Sequence, residues 1–291
     1  MTDDLMLKSA EELSRLVHSR KVSSRELLEE AIRRYEAFNP KVNAVTGHQI
    51  ESAQLSANEA DEEIARGESR GPFHGLPITI KEAYDWVGTP STWGNPQWVN
   101  NFPDSNSPSV DRLTGAGAII WAKTNVPFML GDWQSFNEIY GCTNNPWDLN
   151  RTPGGSSGGS AVSLATGMSA LEIGSDIGAS IRNPAHYCGV YGHKPTMGLI
   201  PQTGHVAPGV EAAVDIAVMG PLARSATDLD QALSVLAGPD GFDANGYRVE
   251  LPEPNKQSLA DYRVGVLLDS PACVTSTALI DHLQHTVDGL T

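Results

Sequence analysis

The sequence predicts an α/β fold in which a mixed sheet is covered by helices on both faces. Three observations carry this expectation. The first seventy residues follow a helical period, short apolar runs rich in β-branched residues recur after residue 71, and helix patterns separate those runs. With 291 residues, 40% of them hydrophobic and 19% charged, the chain can bury the core that such a sheet needs.

Ser9 precedes Glu12 in the S-x-x-E spacing of a capping box, which starts a helix, and Leu13, Leu16 and Val17 supply its apolar stripe. Ser23 and Glu26 repeat the signal. Leu27, Leu28, Ala31, Ile32 and Tyr35 continue this second helix to Asn39 and Pro40, which are expected to stop it, and a third, polar helix spans residues 50–66. Residues 76–80, 118–122, 170–173 and 264–268 are strand candidates, with helix patterns at 108–115 and at 227–236, the latter closed by Gly238. No repeat or linker divides the chain, so residues 1–291 read as one domain, a helical layer (1–70) on an α/β core (71–291).

Asp and Glu outnumber Lys and Arg by 35 to 20, a formal charge of -15, so the field of the protein repels phosphate backbones and anionic membranes. Neither nucleic acid nor membrane is an expected partner. Cys142, Cys188 and Cys273 have no metal-like spacing and read as reduced thiols. The opening MTDDLMLKSAEEL fits neither a signal nor a transit peptide, and no apolar run reaches the ~18 residues of a membrane span, which makes cytoplasm the default.

Three segments stand out chemically. Lys81 directly follows the apolar run Leu76-Pro77-Ile78-Thr79-Ile80, so a cation stands where burial opposes charge. GGSSGGS (154–160) runs straight into the apolar residues Ala161, Val162, Leu164 and Ala165, which places its glycines at a loop-to-helix junction rather than in a tether. It formally satisfies the G-x-S-x-G elbow around Ser157, but residues 144–153 before it read as a loop where an elbow needs a strand. The third segment, residues 174–184, follows a strand candidate with a small-residue turn whose N–H groups can approach a substrate oxygen, and Asp176 and Arg182 are expected to pair and hold its shape.

In order, spacing and character, GPFHGLPITIKEA, PGGSSGGSAVSLATG and SDIGASIRNPAHYCGVYGHKPT resemble the amidase signature family. The resemblance covers most of the chain and includes Gly220-Pro221-Leu222-Ala223-Arg224-Ser225. It implies the fold of that family and a triad in which Lys81 is the base, Ser156 the bridging serine and Ser180 the nucleophile. Backbone N–H groups of Ile177, Gly178, Ala179 and Ser180 would form the oxyanion hole, with no metal or organic cofactor. A lysine can act as base once burial brings its pKa from ~10.4 toward neutrality. Two residues depart from the family pattern: Ala179 stands where Gly is more frequent, and Glu82 where Asp is.

The implied reaction is hydrolysis of a small carboxylic amide to the acid and ammonia or an amine through an acyl-enzyme. The alternatives are a non-catalytic scaffold and a glutamyl-tRNA amidotransferase A-type subunit. A histidine triad is the chemical competitor, but His74, His186, His193 and His205 read as structural or pocket-lining. Met129, Trp133 and Tyr140 read as packing residues rather than pocket walls. Leu279, Leu283, Val287 and Leu290 describe a last helix whose apolar face needs a partner. Family members usually continue further, so the chain is expected to be an amino-terminal part, weak in hydrolysis alone and able to self-associate around residues 264–290.

Overall fold

The computed structural model describes residues 5–210, 212–253, 255–256, 258–272 and 274–290. Two compact units are distinguished, Met1–Val249 and Glu250–Thr291. In the first, both capping boxes form. Ser9 Oγ accepts the Glu12 N–H (3.1 Å) while Glu12 Oε2 accepts the Ser9 N–H (3.0 Å), starting α1 (Ala10–His18). Ser23 and Glu26 reciprocate in the same way at the start of α2 (Ser24–Val42).

Helix α2 runs through Pro40, against the expected stop. A proline in the last turn removes one N–H donor, and any distortion by its ring is not carried into further turns. The helix ends instead at Asn43, which is left-handed (φ 48°) and donates its N–H to Asn39 O at 2.8 Å. The Asn39 side chain then accepts the N–H groups of Ala44 and Val45, turning the chain out into β1 (Val45–His48). Helix α3 (Ile50–Arg66) follows as expected and closes on Gly67 at φ 79°.

Strand β2 (Pro77–Lys81), helix α4 (Pro108–Gly115) and strand β3 (Ile119–Thr124) come next. β3 is central, antiparallel to β1 and parallel to β2, with Ile80 opposite Lys123 and Lys81 opposite Thr124. Every residue of β2 and β3 is buried, as parallel strands covered on both faces require. A two-residue ribbon, β4 (Phe136–Asn137) with β5 (Gly141–Cys142), precedes helix α5 (Gly158–Ala165).

The chain then forms β6 (Glu172–Asp176), α6 (Arg182–Cys188), β7 (Tyr191–Gly192), β8 (Val218–Ala223) and α7 (Ala226–Leu236). β8 lies between β6 and β7 in a wholly antiparallel sheet. The two sheets adjoin where the Ala170 N–H donates to Pro77 O (3.0 Å) and the Thr79 N–H to Ser169 Oγ (2.8 Å). Around this seam Phe73, Leu76, Ile78, Ile80 and Trp121 are sealed from solvent, and Asp228 of α7 caps α1 by accepting the N–H groups of Ala10 and Glu11.

The glycine-rich segment is packed, not loose. A Cβ on Gly159 would lie 2.3 Å from the backbone nitrogen of Asn125, so only glycine lets α5 approach β3 this closely. In the second unit, α8 (Thr277–Asp288) contains Leu279, Leu283 and Val287 as expected, with Leu290 beyond its end. The strand expected at 264–268 does not form, because no strand among the described residues of that unit lies alongside to complete a ladder. Cys142 and Cys188 are free thiols; Cys273 lies outside the described residues. Among the described residues no helix is long and apolar enough to cross a membrane.

Candidate active site

Lys81 ends β2 at the seam of the two sheets and has no exposed surface. Its Nζ lies 2.6 Å from Ser156 Oγ, 3.0 Å from Ser157 Oγ and 2.9 Å from Ser175 Oγ. Burial pushes its pKa down to about 7, against the opposing pull of the Asp176 and Glu172 charges. A neutral amine has two N–H donors and one lone pair. With hydroxyls of Ser157 and Ser175 available to accept the two N–H groups, the lone pair can face the Ser156 hydroxyl.

Ser156 follows a cis Gly155–Ser156 peptide. Ser157 is fully buried, its N–H donates to Ser180 O (3.1 Å), and it is absent from the walls of the neighbouring cavity. The elbow reading of Ser157 fails on that burial, and its hydroxyl instead supports the amine. Tight packing enforces this, since a Cβ on Gly174 would meet Ser157 Oγ at 2.6 Å.

A cavity of about 500 Å³ opens above the cluster, with Ser156, Ser175 and Ser180 in its lining. Ser180 is 8% exposed. No hydrogen bond joins Ser180 Oγ to Ser156 Oγ among the described residues; the structure brings both to one cavity without linking them.

The turn before Ser180 is held by Asp176. Its carboxylate accepts N–H groups from Ala179 (2.8 Å), Ile181 (3.0 Å) and Arg182 (3.3 Å), and forms a two-point pair with the Arg182 guanidinium at 3.0 and 2.8 Å. Burial opposes the Asp176 charge, but Arg182 and these amides outweigh it and hold the carboxyl below its usual range. The expected structural pair is therefore present. It also changes one expectation, because the Ala179 N–H is engaged by Asp176 and is not aimed at a ligand. The N–H groups of Ile177, Gly178 and Ser180 have no partner among the described residues. Ala179 is left-handed (φ 77°), the conformation for which glycine is best suited.

Glu82, next to the lysine, is fully buried and accepts the N–H groups of Thr92 (2.6 Å) and Trp93 (2.9 Å). It thereby fixes a turn that delivers Trp93 to the cavity. Met129 and Trp133 line the cavity too, against the packing role expected of them, whereas Tyr140 stays outside it with its hydroxyl 3.3 Å from Glu82 Oε1.

The histidines differ in where they lie. His74 is sealed, with Nδ1 accepting the Arg70 N–H and Nε2 against Ala60 O, while His186 and His193 lie outside the cavity lining. His205 lines the cavity. Among the described residues, no histidine hydrogen-bonds Ser156, Ser157 or Ser180, and no cluster of metal-ligating side chains occurs.

Several partners of the amine lay beyond sequence reasoning. In the sequence Ser157 stands out only as an elbow nucleophile, and Ser175 carries no motif of its own. Glu172 carries no motif either; it is fully buried with a pKa pushed up to about 7 by burial, although it accepts hydroxyls of Thr79 (2.7 Å) and Thr124 (2.9 Å).

Fold and site together define an α/β protein built around a buried lysine–serine cluster, and comparison with known proteins gives the family of its fold. The profile of the family described as Amidase matches residues 26–291, and the chain belongs to that family, the amidase signature proteins. It is 38% identical over 251 residues to the A subunit of the glutamyl-tRNA(Gln) amidotransferase of Carboxydothermus hydrogenoformans, covering 86% of this chain and 51% of that protein. It is 39% identical over 235 residues to an acylamidase of Rhodococcus erythropolis, covering 81% and 48%. A solved bacterial aryl acylamidase of the amidase signature family superposes with a TM-score of 0.77 at 31% identity, covering 84% of this chain and 50% of that one. The chain thus spans about half the length of the relatives it matches.

Proposed function

We propose that this chain carries the catalytic apparatus of an amidase that hydrolyses a carboxylic amide to the acid and ammonia or an amine. The supporting observation is the sealed Lys81 amine, 2.6 Å from Ser156 Oγ, beside a cavity that Ser180 also lines. With a pKa near 7 the amine is half neutral at physiological pH, the condition for a general base.

Lys81 takes the proton of Ser156, and Ser156 takes that of Ser180. The freed Ser180 oxygen bonds to the carbonyl carbon, and the resulting oxyanion accepts N–H groups from the Ile177–Ser180 turn. Collapse breaks the carbon–nitrogen bond, the proton held by Lys81 returns through Ser156 to the leaving nitrogen, and water then releases the acid from Ser180. Ser157 and Ser175 orient the amine, and Asp176 with Arg182 holds the turn. The similarity to amidotransferase A subunits favours a second reading, in which the same residues release ammonia from glutamine for a partner.

A fluorophosphonate probe tests the nucleophile without requiring a known substrate. Peptide mapping is expected to place the adduct on Ser180, with labelling lost in Ser180→Ala. It is expected to slow severely in Ser156→Ala and to change only a few-fold in His186→Ala and His193→Ala. An adduct on Ser157, or a histidine variant as damaged as Ser156→Ala, would overturn the reading.

A further inference from the structure

Glu172 begins β6 and is 1% exposed, yet no ion pair joins its carboxyl among the described residues. Buried carboxylates are ordinarily paired, because an unmatched charge is costly to take out of water. Hydroxyls hold this one. Oε1 accepts Thr79 Oγ1 of β2 (2.7 Å) and Thr124 Oγ1 of β3 (2.9 Å). Helix α5 stands behind both, with Ser163 Oγ 2.9 Å from Thr79 Oγ1 and Ser160 Oγ 3.0 Å from Thr124 Oγ1. Oε2 accepts the Ile173 N–H at 3.0 Å. Hydroxyls that donate in sequence toward one oxygen polarise each other and favour its charged form.

The two hydroxyls that grip Oε1 also flank the base. Thr79 precedes Lys81 by two residues on β2, so the two side chains leave the strand on one face, about 7 Å apart. Thr124 lies opposite Lys81 in the β2–β3 pairing. The carboxyl is thereby set beside the base, and its charge raises the Lys81 pKa against burial. Asp176 acts on the amine as well, but its charge is matched by the two-point pair with Arg182, whereas no cation is paired with Glu172.

Few other charges reach this seam. On β3, Lys123 turns to Pro90 O and Ser91 Oγ, beside Glu82 and Asp85. Beyond β2, the Tyr84 hydroxyl donates to Gly174 O, and burial keeps it protonated well above its ordinary range. Neither α5 nor β8 contains a titratable side chain, and Arg224, just after β8, donates to the carbonyls of Leu164, Ser169 and Ala170.

Resting on the amidase reading, we propose that Glu172 is a positioning residue that acts through Lys81: its carboxylate, held by Thr79 and Thr124, stabilises the ammonium that forms when Lys81 takes the Ser156 proton. Glu172 itself exchanges no proton with the substrate. Burial opposes its charge, and a pKa of about 7 leaves it half ionised where the base works. When ionised it favours the charged form of Lys81, so the amine keeps its proton to a higher pH than it would alone and is the stronger base for it.

Glu172→Gln removes the charge and keeps the contacts. Its NH2 group can donate to Thr79 and Thr124, whose hydroxyls then turn to Ser163 Oγ and Ile80 O, while its carbonyl accepts the Ile173 N–H. The Lys81 titration is read by NMR from lysine isotope-labelled at Cε, assigned by its loss in Lys81→Met. The pH profile of Ser180 labelling by the fluorophosphonate is read beside it. In Glu172→Gln both midpoints should move to lower pH by about one unit, the low end of what a nearby opposite charge does. The plateau of labelling should fall a few-fold as the base weakens. Glu172→Met, which also deletes the hydrogen bonds, should shift the midpoints in the same direction, and it decides if the glutamine variant does not fold.

A Lys81 midpoint that stays at its wild-type pH in a folded variant, or moves to higher pH, would overturn the role of Glu172. Ser180 labelling with an unshifted Lys81 sinks that role alone. A shifted Lys81 without labelling upholds the carboxylate's action on the amine and sinks the hydrolase.

Discussion

Lys81 and Lys123 stand on neighbouring parallel strands, one register step apart, and both are shut off from solvent. Burial depresses both amines, to about 7 for Lys81 and about 8 for Lys123, where the Glu82 and Asp85 charges oppose it. What they touch separates them. Lys81 meets three serine hydroxyls, two of which line the cavity, whereas Lys123 Nζ donates to Pro90 O (2.8 Å) and Ser91 Oγ (3.1 Å) in a closed wall. A perturbed pKa alone therefore does not mark a base; it must be joined to a proton path that reaches a ligand.

The largest expected effect breaks the comparison at its chemistry. Lys81→Ala should slow fluorophosphonate labelling of Ser180 by about 10³-fold, in the range for loss of a general base. Lys123→Ala should leave the labelling rate of the folded protein within about tenfold of wild type, because the hydrogen bonds of that amine go to Pro90 O and Ser91 Oγ and to none of the cavity serines. Equal losses would show that the two lysines are one network.

A second contrast concerns stability. The folded Lys81 loses its proton near pH 7, while the unfolded side chain keeps its own to about 10.5. The penalty for burying the amine is therefore full below pH 7 and is relieved as pH rises. Relative to Lys81→Met, wild type should gain ~1.4 kcal/mol per pH unit between about 7 and 10. The same gain over Lys123→Met should begin only near pH 8. Urea titrations at several pH values read this directly, and a flat difference for Lys81 would mean that its amine stays charged in the fold.

The smallest effect tests the turn. Ala179 holds φ 77°, a conformation that costs an L-residue roughly 1–2 kcal/mol. Ala179→Gly should stabilise the protein by about 1 kcal/mol, reduced by the entropy glycine adds to the unfolded chain. A loss of stability would show that the alanine methyl packs to advantage.

Much of this arrangement was legible in sequence because it is local. Capping boxes at Ser9 and Ser23, the apolar run before Lys81 and the helix at Pro108–Gly115 each rest on neighbours a few residues away. Strand β8 is not among the strand candidates of the sequence; it contains Gly220 and Pro221, residue types depleted in strand interiors. In the fold, Pro221 O accepts the His193 N–H, and a Cβ on Gly220 would meet His193 O at 2.2 Å, so close approach of the outer strand explains the glycine. The order of Lys81, Ser156 and Ser180 was readable through motif resemblance, but Ser175 and Glu172 join segments far apart in the chain. No periodicity announces such contacts. The stretch 264–268 misled in the opposite direction, since an apolar β-branched run forms a strand only where a neighbour offers a ladder.

The central claim is that the neutral form of Lys81 activates Ser180, and the pH dependence of Ser180 labelling tests it most directly. The rate constant should rise as pH increases through about 7, where Lys81 loses its proton, and then level off. In Lys81→Ala that inflection should vanish. A wild-type rate that keeps climbing beyond about pH 9 without a plateau, or an inflection near 7 that survives in Lys81→Ala, would contradict the account and point to another base.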